Sequence, residues 1–318
     1  SRGVVRCAQG DLAGALQAYT DGLEIARKLA ARDPSQSAWL RVLSFGWYII
    51  GDVRRAQGDL PGALQAYTDS LEIRRKLAAR DPSQTEWQRD LSISWNKIGD
   101  VRRAQGDLPG ASQAYTDGLE IARKLAARDP SQTEWQRDLS VSWNKIGDVR
   151  RAQGDLPGAL QAYTDSLETR RKLAARDPSQ TEWQRDLSIG WNKIGDVRVA
   201  QGDLPGALQA YTDAFEIARK LTARDPSQTE WQRDLFVSEG KLGVLAMQTD
   251  DRAAARAHFE AALTIIEKLV QRDPTNAQWR EDHAWVQNAL RGVDEAPPTA
   301  SRPKSPPAPP PAADRAAP

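Results

Sequence analysis

Between Asp81-Pro82 and Asp129-Pro130 the apolar residues fall on two helical stripes. At 100° per residue, Trp87, Leu91 and Ile98 lie within about 40° of one another, with Trp95 a little further round. Ala111, Tyr115, Leu119 and Ala122 recur at i, i+4, i+8 and i+11. The spacing predicts one helix over about 86–105 and a second over about 108–127. Their ends carry matching chemistry. The residue before proline avoids the helical region, so Asp81-Pro82 and Asp129-Pro130 are breaks. Thr85 and Gln88 have capping-box spacing, Gly106 closes the first helix, and Asp107 caps the second with Pro109 in its first turn.

This pattern is one copy of a longer series. Trp39, Trp87, Trp135, Trp183, Trp231 and Trp279 stand 48 residues apart, and residues 129–176 match 81–128 at 43 of 48 positions. A fixed period of this size marks an array of supersecondary units that bury their stripes only by stacking. The expected boundaries are a truncated first repeat over 1–32, five repeats over 33–272, a closing helix over 273–292 and a Pro/Ala-rich, disordered tail over 293–318. Val5 to Leu12 matches Val53 to Leu60 apart from Cys7, so the sequence reads as starting part-way through a repeat of a longer protein.

The motif Trp95-x2-Ile98-Gly99 followed by Ala111-x3-Tyr115 resembles the tetratricopeptide repeat. It recurs as Trp47/Ile50/Gly51 with Ala63/Tyr67, Trp143/Ile146/Gly147 with Ala159/Tyr163, and Trp191/Ile194/Gly195 with Ala207/Tyr211. Two positions depart from the family pattern. Arg102 stands where a Tyr is usual, and Arg123 where a Pro would end the second helix, which lengthens the unit. It is similar to the lengthened repeats of kinesin light chains. The resemblance covers residues 1–291 and implies an all-α, right-handed α-solenoid of antiparallel helix pairs. It further implies that the first helix of each pair lines a concave groove for a partner.

On that helix Arg89, Ser92, Asn96, Asp100 and Arg103 form a polar line within about 80°. Arg137, Ser140, Asn144, Asp148 and Arg151 repeat it, as do Arg185, Ser188, Asn192 and Asp196. One reading is a ladder of donors and acceptors for extended peptide backbone. The other is a solvated face in which Asp100 and Arg103 pair with each other at i,i+3. At the amino end the line becomes Arg41, Ser44, Tyr48, Asp52 and Arg55, beside apolar Leu40, Val42, Phe45 and Ile49. At the carboxyl end it becomes Arg233, Phe236, Gly240, Val244 and Met247. Such apolar clusters are either interaction patches or contacts to neighbouring elements.

Composition narrows the function. Basic and acidic side chains number 44 and 43, for a net charge of +1, which disfavours binding to a nucleic-acid backbone. Cys7 is the single cysteine and suits a reducing compartment. No apolar run approaches the ~20 residues of a membrane span and no secretory pattern opens the chain, so a cytoplasmic protein is expected. His258 and His283 lack ligand-spaced partners, and GDLPG has no following Lys, so no catalytic, metal or cofactor site is predicted. Eleven Trp could form a stacking platform, but their place beside Leu91 and Ile98 assigns them to packing. Glu72/Lys76, Glu120/Lys124, Glu168/Lys172 and Glu216/Lys220 read as supporting i,i+4 pairs. Pro303-x-x-Pro306 after Arg302 reads as linker or as a polyproline ligand. The expectation is a non-enzymatic scaffold holding an extended segment of a protein or peptide partner. The alternatives are a sensor or spacer arm of a larger signalling protein, and a nucleic-acid-binding solenoid.

Overall fold

The computed structural model describes residues 11–33 and 35–295, so Cys7 and the proline-rich tail lie outside the described residues. Among these, every regular element is an α-helix. There are twelve: α1 Leu12–Arg32, α2 Ser37–Ala56, α3 Leu60–Arg80, α4 Thr85–Ala104, α5 Leu108–Arg128, α6 Thr133–Ala152, α7 Leu156–Arg176, α8 Thr181–Gln201, α9 Leu204–Arg224, α10 Thr229–Gln248, α11 Arg252–Arg272 and α12 Ala277–Glu295. The described residues form two compact units, divided between Thr169 and Arg170.

In the amino-terminal unit the helices pack in sequence order as antiparallel pairs, α2 with α3 and α4 with α5, each pair stacking on the next. The close approach within a pair has a local cause. A Cβ on Gly99 of α4 would come within 2.4 Å of Tyr115 Cε1 on α5, so only glycine admits the ring there. Tyr67, Tyr115 and Tyr163 are among the largest fully buried side chains. Each such ring contributes about 1.5–3 kcal/mol by leaving water. The tryptophans sit further out than their pattern implies. Trp87, Trp95, Trp135 and Trp143 are half-buried. The Arg75 guanidinium lies 4.6 Å from the Trp95 ring centre, and that of Arg123 5.1 Å from Trp143. Tyrosine therefore forms the centre of each layer, and tryptophan its arginine-covered edge.

The turn within each pair forms as its chemistry demands. Gly106 takes φ +81, and Asp107 accepts a bond from Gly110 N at 2.9 Å. Arg102, in place of the usual Tyr, donates to the Gly110 carbonyl at 3.3 Å, as Arg54 does to Gly62 at 3.1 Å. The turn between pairs differs from expectation. Gln84 is the N-cap of α4 and makes no side-chain cap, so the Thr85/Gln88 capping box does not form. Instead Asp81 Oδ1 accepts from the Ser83 amide at 2.9 Å and the Ser83 hydroxyl at 2.5 Å. Those bonds hold the Asp81 carboxyl below the usual carboxylate range.

The carboxyl-terminal unit repeats the scheme with α8 on α9 and α10 on α11, and α12 packs on α11. Phe236, Phe259, Ile266 and Val286 form its largest cluster. The rings of Phe236 and Phe259 each lie 5.9 Å from that of Trp285, edge to face. The expected Glu216–Lys220 pair is replaced by Glu216–Arg219 at 3.0 Å.

Candidate interaction face

The first helices of successive pairs, α2, α4 and α6, are tied together by side chains from the predicted polar line. Asp52 Oδ1 accepts from Tyr67 Oη at 2.5 Å within its own pair and from Lys97 Nζ at 2.9 Å in the next. Asp100 does the same with Tyr115 and Lys145, each at 2.8 Å. Asp148 accepts from Tyr163 at 2.6 Å. Burial raises the Tyr67 and Tyr115 hydroxyls far above the ordinary tyrosine value, with the adjacent carboxylate adding to the effect.

A second tie lies further towards the start of each helix. Arg89 Nε donates to Asp138 Oδ2 at 2.5 Å and its Nη1 to Glu134 at 2.9 Å. The bond to Asp138 holds the Arg89 guanidinium above its ordinary value. Arg41 meets Glu86 at 3.2 Å with both partners largely exposed. In the carboxyl-terminal unit Arg185 pairs with Asp234 and Glu230, Arg233 with Asp282, and Lys241 with Asp196, which also accepts from Tyr211 at 2.8 Å. Burial pushes the Asp234 carboxyl up despite Arg185.

Between these ties lie the amides and serines. Asn96 Nδ2 donates to Ser142 Oγ at 3.1 Å and Asn192 Nδ2 to Ser238 Oγ at 3.4 Å. Asn144 and Asn192 are each 6% exposed, and the Oδ1 atoms of Asn96, Asn144 and Asn192 are closed off by packing without an acceptor bond. Ser92, Ser140 and Ser188 are buried too. The polar line is thus largely consumed within the protein. Asp100 bonds to Tyr115 and Lys145, and the Arg103 guanidinium lies in the same cluster, where, against burial, Tyr115, Asp148 and Asp100 hold it above its ordinary value. Arg103 and Arg151 are exposed, and Arg55 and Arg137 are half-buried.

The side chains that tie neighbouring pairs lie on a face offset by one residue from the predicted line. On α4 it carries Glu86, Arg89, Ile93, Lys97 and Asp100, which share one side at 100° per residue. Lys97 and Lys145 belong to it and were absent from the predicted site. The signal was present, since a Lys recurs one residue after each Asn. Tyr48 is buried, packs on Tyr67 with ring centres 5.9 Å apart, and receives Lys97 at 5.1 Å from its ring centre.

The two apolar clusters separate clearly. Phe45 is 57% exposed and Val42 52%, whereas Ile49 is half-buried against the Tyr48–Tyr67 cluster. The carboxyl-end cluster is no surface patch. Phe236 is 0% and Met247 9% exposed, and Val244 packs on the same core, because α11 and α12 cover them. Among the described residues no cluster of His, Cys, Asp or Glu could hold a metal, and no helix is long and apolar enough to cross a membrane.

No family model matches the chain, and no curated protein is similar in sequence. Solved structures do match. BtubC (BKLC) from P. vanneervenii aligns with 81% of this chain and 92% of its own, at TM-score 0.63 and 18% identity. A signal transduction ATPase with numerous domains and a tetratricopeptide repeat sensor, from Pyrococcus horikoshii, aligns with 92% of this chain and 37% of its own, at TM-score 0.63 and 12% identity. The chain has the fold of tetratricopeptide-type repeat proteins. The Rap conjugation gene regulator of the plasmid pLS20, in complex with a Phr peptide, also matches, over 79% of this chain and 59% of its own, at TM-score 0.51 and 14% identity. On this tetratricopeptide-type fold the 48-residue period corresponds to paired helices of 20 and 21 residues, as in α4 and α5.

Proposed function

We propose that the protein is a non-enzymatic interaction scaffold in which the first helices of successive pairs hold an extended segment of a partner protein. The observation that carries this reading is the set of ties between those helices. Asp52–Lys97, Asp100–Lys145 and Arg89–Asp138 fix equivalent faces of α2, α4 and α6 in one register. A surface locked this way costs little further ordering when a partner binds. The likeness to a regulator solved with a peptide supports the same reading. Arg103 and Arg151, exposed at the end of α4 and α6, are the groups best placed for a partner's backbone carbonyls or carboxylates.

Site-specific photo-crosslinking tests it. A benzophenone side chain at position 103 or 151 is expected to capture a partner in cell extract. The same group at Glu120, exposed on α5, is expected to capture nothing comparable. Equal capture from both positions would remove the assignment.

A further inference from the structure

Resting on that reading, we infer that the partner segment is acidic and lies across the ends of α2, α4 and α6, where its carboxylates meet Arg55, Arg103 and Arg151. Charge along these helices is divided. In the first halves of α4 and α6, Glu86, Asp90, Glu134 and Asp138 outnumber Arg89 and Arg137 by two. In the second halves, Lys97, Arg103, Lys145 and Arg151 outnumber Asp100 and Asp148 by the same margin. Arg102 and Arg150 stand outside that count, because they donate to the turn carbonyls of Gly110 and Gly158. Arg89 and Arg103 are fourteen residues apart, about 21 Å along the helix. That exceeds the screening length of about 8–10 Å, so a guest meets the two halves as separate fields.

The surplus arises because two cations share one carboxylate. Asp100 takes Lys145 at 2.8 Å, and the Arg103 guanidinium, bonded to the Tyr115 hydroxyl, also faces Asp100 and Asp148. The field is therefore positive where Arg103 and Arg151 reach solvent. The helix dipole favours a basic residue at this end, but it does not require one here. The equivalent positions of α8 and α10 carry Val199 and Met247, and the last turn of α10 holds no basic residue at all. Val199 packs on the Tyr211 cluster, and Met247 is 9% exposed. The cationic line thus belongs to the amino-terminal unit. A guest carboxylate gains charge-assisted bonds from a guanidinium and offsets the surplus. A basic guest meets repulsion, and a neutral one leaves the surplus in place.

The test pans a random twelve-residue peptide library against the full chain and measures the enriched peptides by fluorescence anisotropy. Two double variants are compared with it, Arg103→Gln with Arg151→Gln, and Arg103→Lys with Arg151→Lys. Both change exposed side chains, and far-UV circular dichroism first shows that each retains helicity. Enriched peptides are expected to be acidic and to weaken as salt rises from about 50 to 300 mM. They should bind the Gln variant about fivefold or more weakly, with much of the loss recovered by the charge-keeping Lys variant. Enrichment of neutral or basic peptides that the Gln variant also loses overturns the acidic chemistry and leaves the scaffold reading standing. Equal binding by an oligothymidylate of the same length, with the same loss, assigns the line to polyanions at large and overturns the protein partner. Peptides indifferent to the Gln variant, or no enriched peptide at all, overturn both.

Discussion

The Lys97 ammonium lies 2.9 Å from the Asp52 carboxylate across 45 residues of sequence, with the Tyr67 hydroxyl on the same oxygen. Side-chain exposures of 10% and 30% make this a partly buried pair whose loss strands a carboxylate. Lys97→Met is expected to destabilise the amino-terminal unit by about 1–3 kcal/mol in chemical denaturation. A double-mutant cycle with Asp52→Asn should return a coupling well above that of Arg41–Glu86, whose partners are 51% and 74% exposed. Equal couplings would deny the first pair its role as a tie.

The same cluster predicts how stability responds to alkali. Burial alone pulls the Lys97 ammonium down, but Tyr48 and Asp52 outweigh it and hold it above the usual lysine value. A raised lysine contributes stability fully below its unfolded value of about 10.4 and loses it as pH climbs through the folded one. The Tyr67 and Tyr115 hydroxyls, raised by burial, act in the same direction, because unfolded tyrosine ionises near 10 while the folded one resists. Thermal midpoints are therefore expected to stay level from about pH 6 to 9 and to fall steeply above about pH 10. Replacing Tyr67 with Phe should flatten that fall. A midpoint already dropping by pH 8 would show that other groups control it.

The helix pairs were legible because stripe, turn and period agree at every level. Leu91, Ile98 and Tyr115 share helical spacing, Gly106 and Asp107 form the turn, and each copy reinforces the reading. The interaction face was legible only in part. A helical wheel places Asp100 and Arg103 side by side, yet it says nothing about Lys145, which competes for the same carboxylate from the next pair. Partner choice between repeats is a tertiary fact. The same limit applies to Phe236, where the sequence left open an interaction patch or a contact to a neighbouring element and α12 supplies the contact.

One turn breaks its own rule and predicts a gain. Gly58, Gly106, Gly154 and Gly202 take φ near +80, but the equivalent residue before α11 is Asp250, at φ 61. The left-handed region costs an ordinary side chain about 1–2 kcal/mol, somewhat less for aspartate. Asp250→Gly is expected to raise stability by about 0.5–1 kcal/mol, and Gly202→Asp to lower it by a similar amount. Hydrogen exchange at the start of α11 would report the change locally. Unaltered protection in both variants would mean the strain is absorbed elsewhere.

The last full pair carries a coupled exchange of side chains that a double-mutant cycle can expose. Where earlier pairs have Trp95, Trp143 and Trp191 on the first helix, α10 has Glu239; where they have Ala114, Ala162 and Ala210 on the second, α11 has His258. His258 Nδ1 sits 2.7 Å from Glu239 Oε2, and Glu239 is 8% exposed. A large ring beside a small methyl has become two mid-sized polar groups bonded to each other, which conserves the filled space. Glu239→Trp alone is expected to cost about 1–3 kcal/mol by crowding His258. His258→Ala alone should cost a comparable amount by stranding the buried carboxylate. Together they rebuild the ordinary pair, so the double variant should be more stable than either single one. Additive losses in denaturation midpoints would show that the two positions are independent, and that the exchange has no shared physical cause.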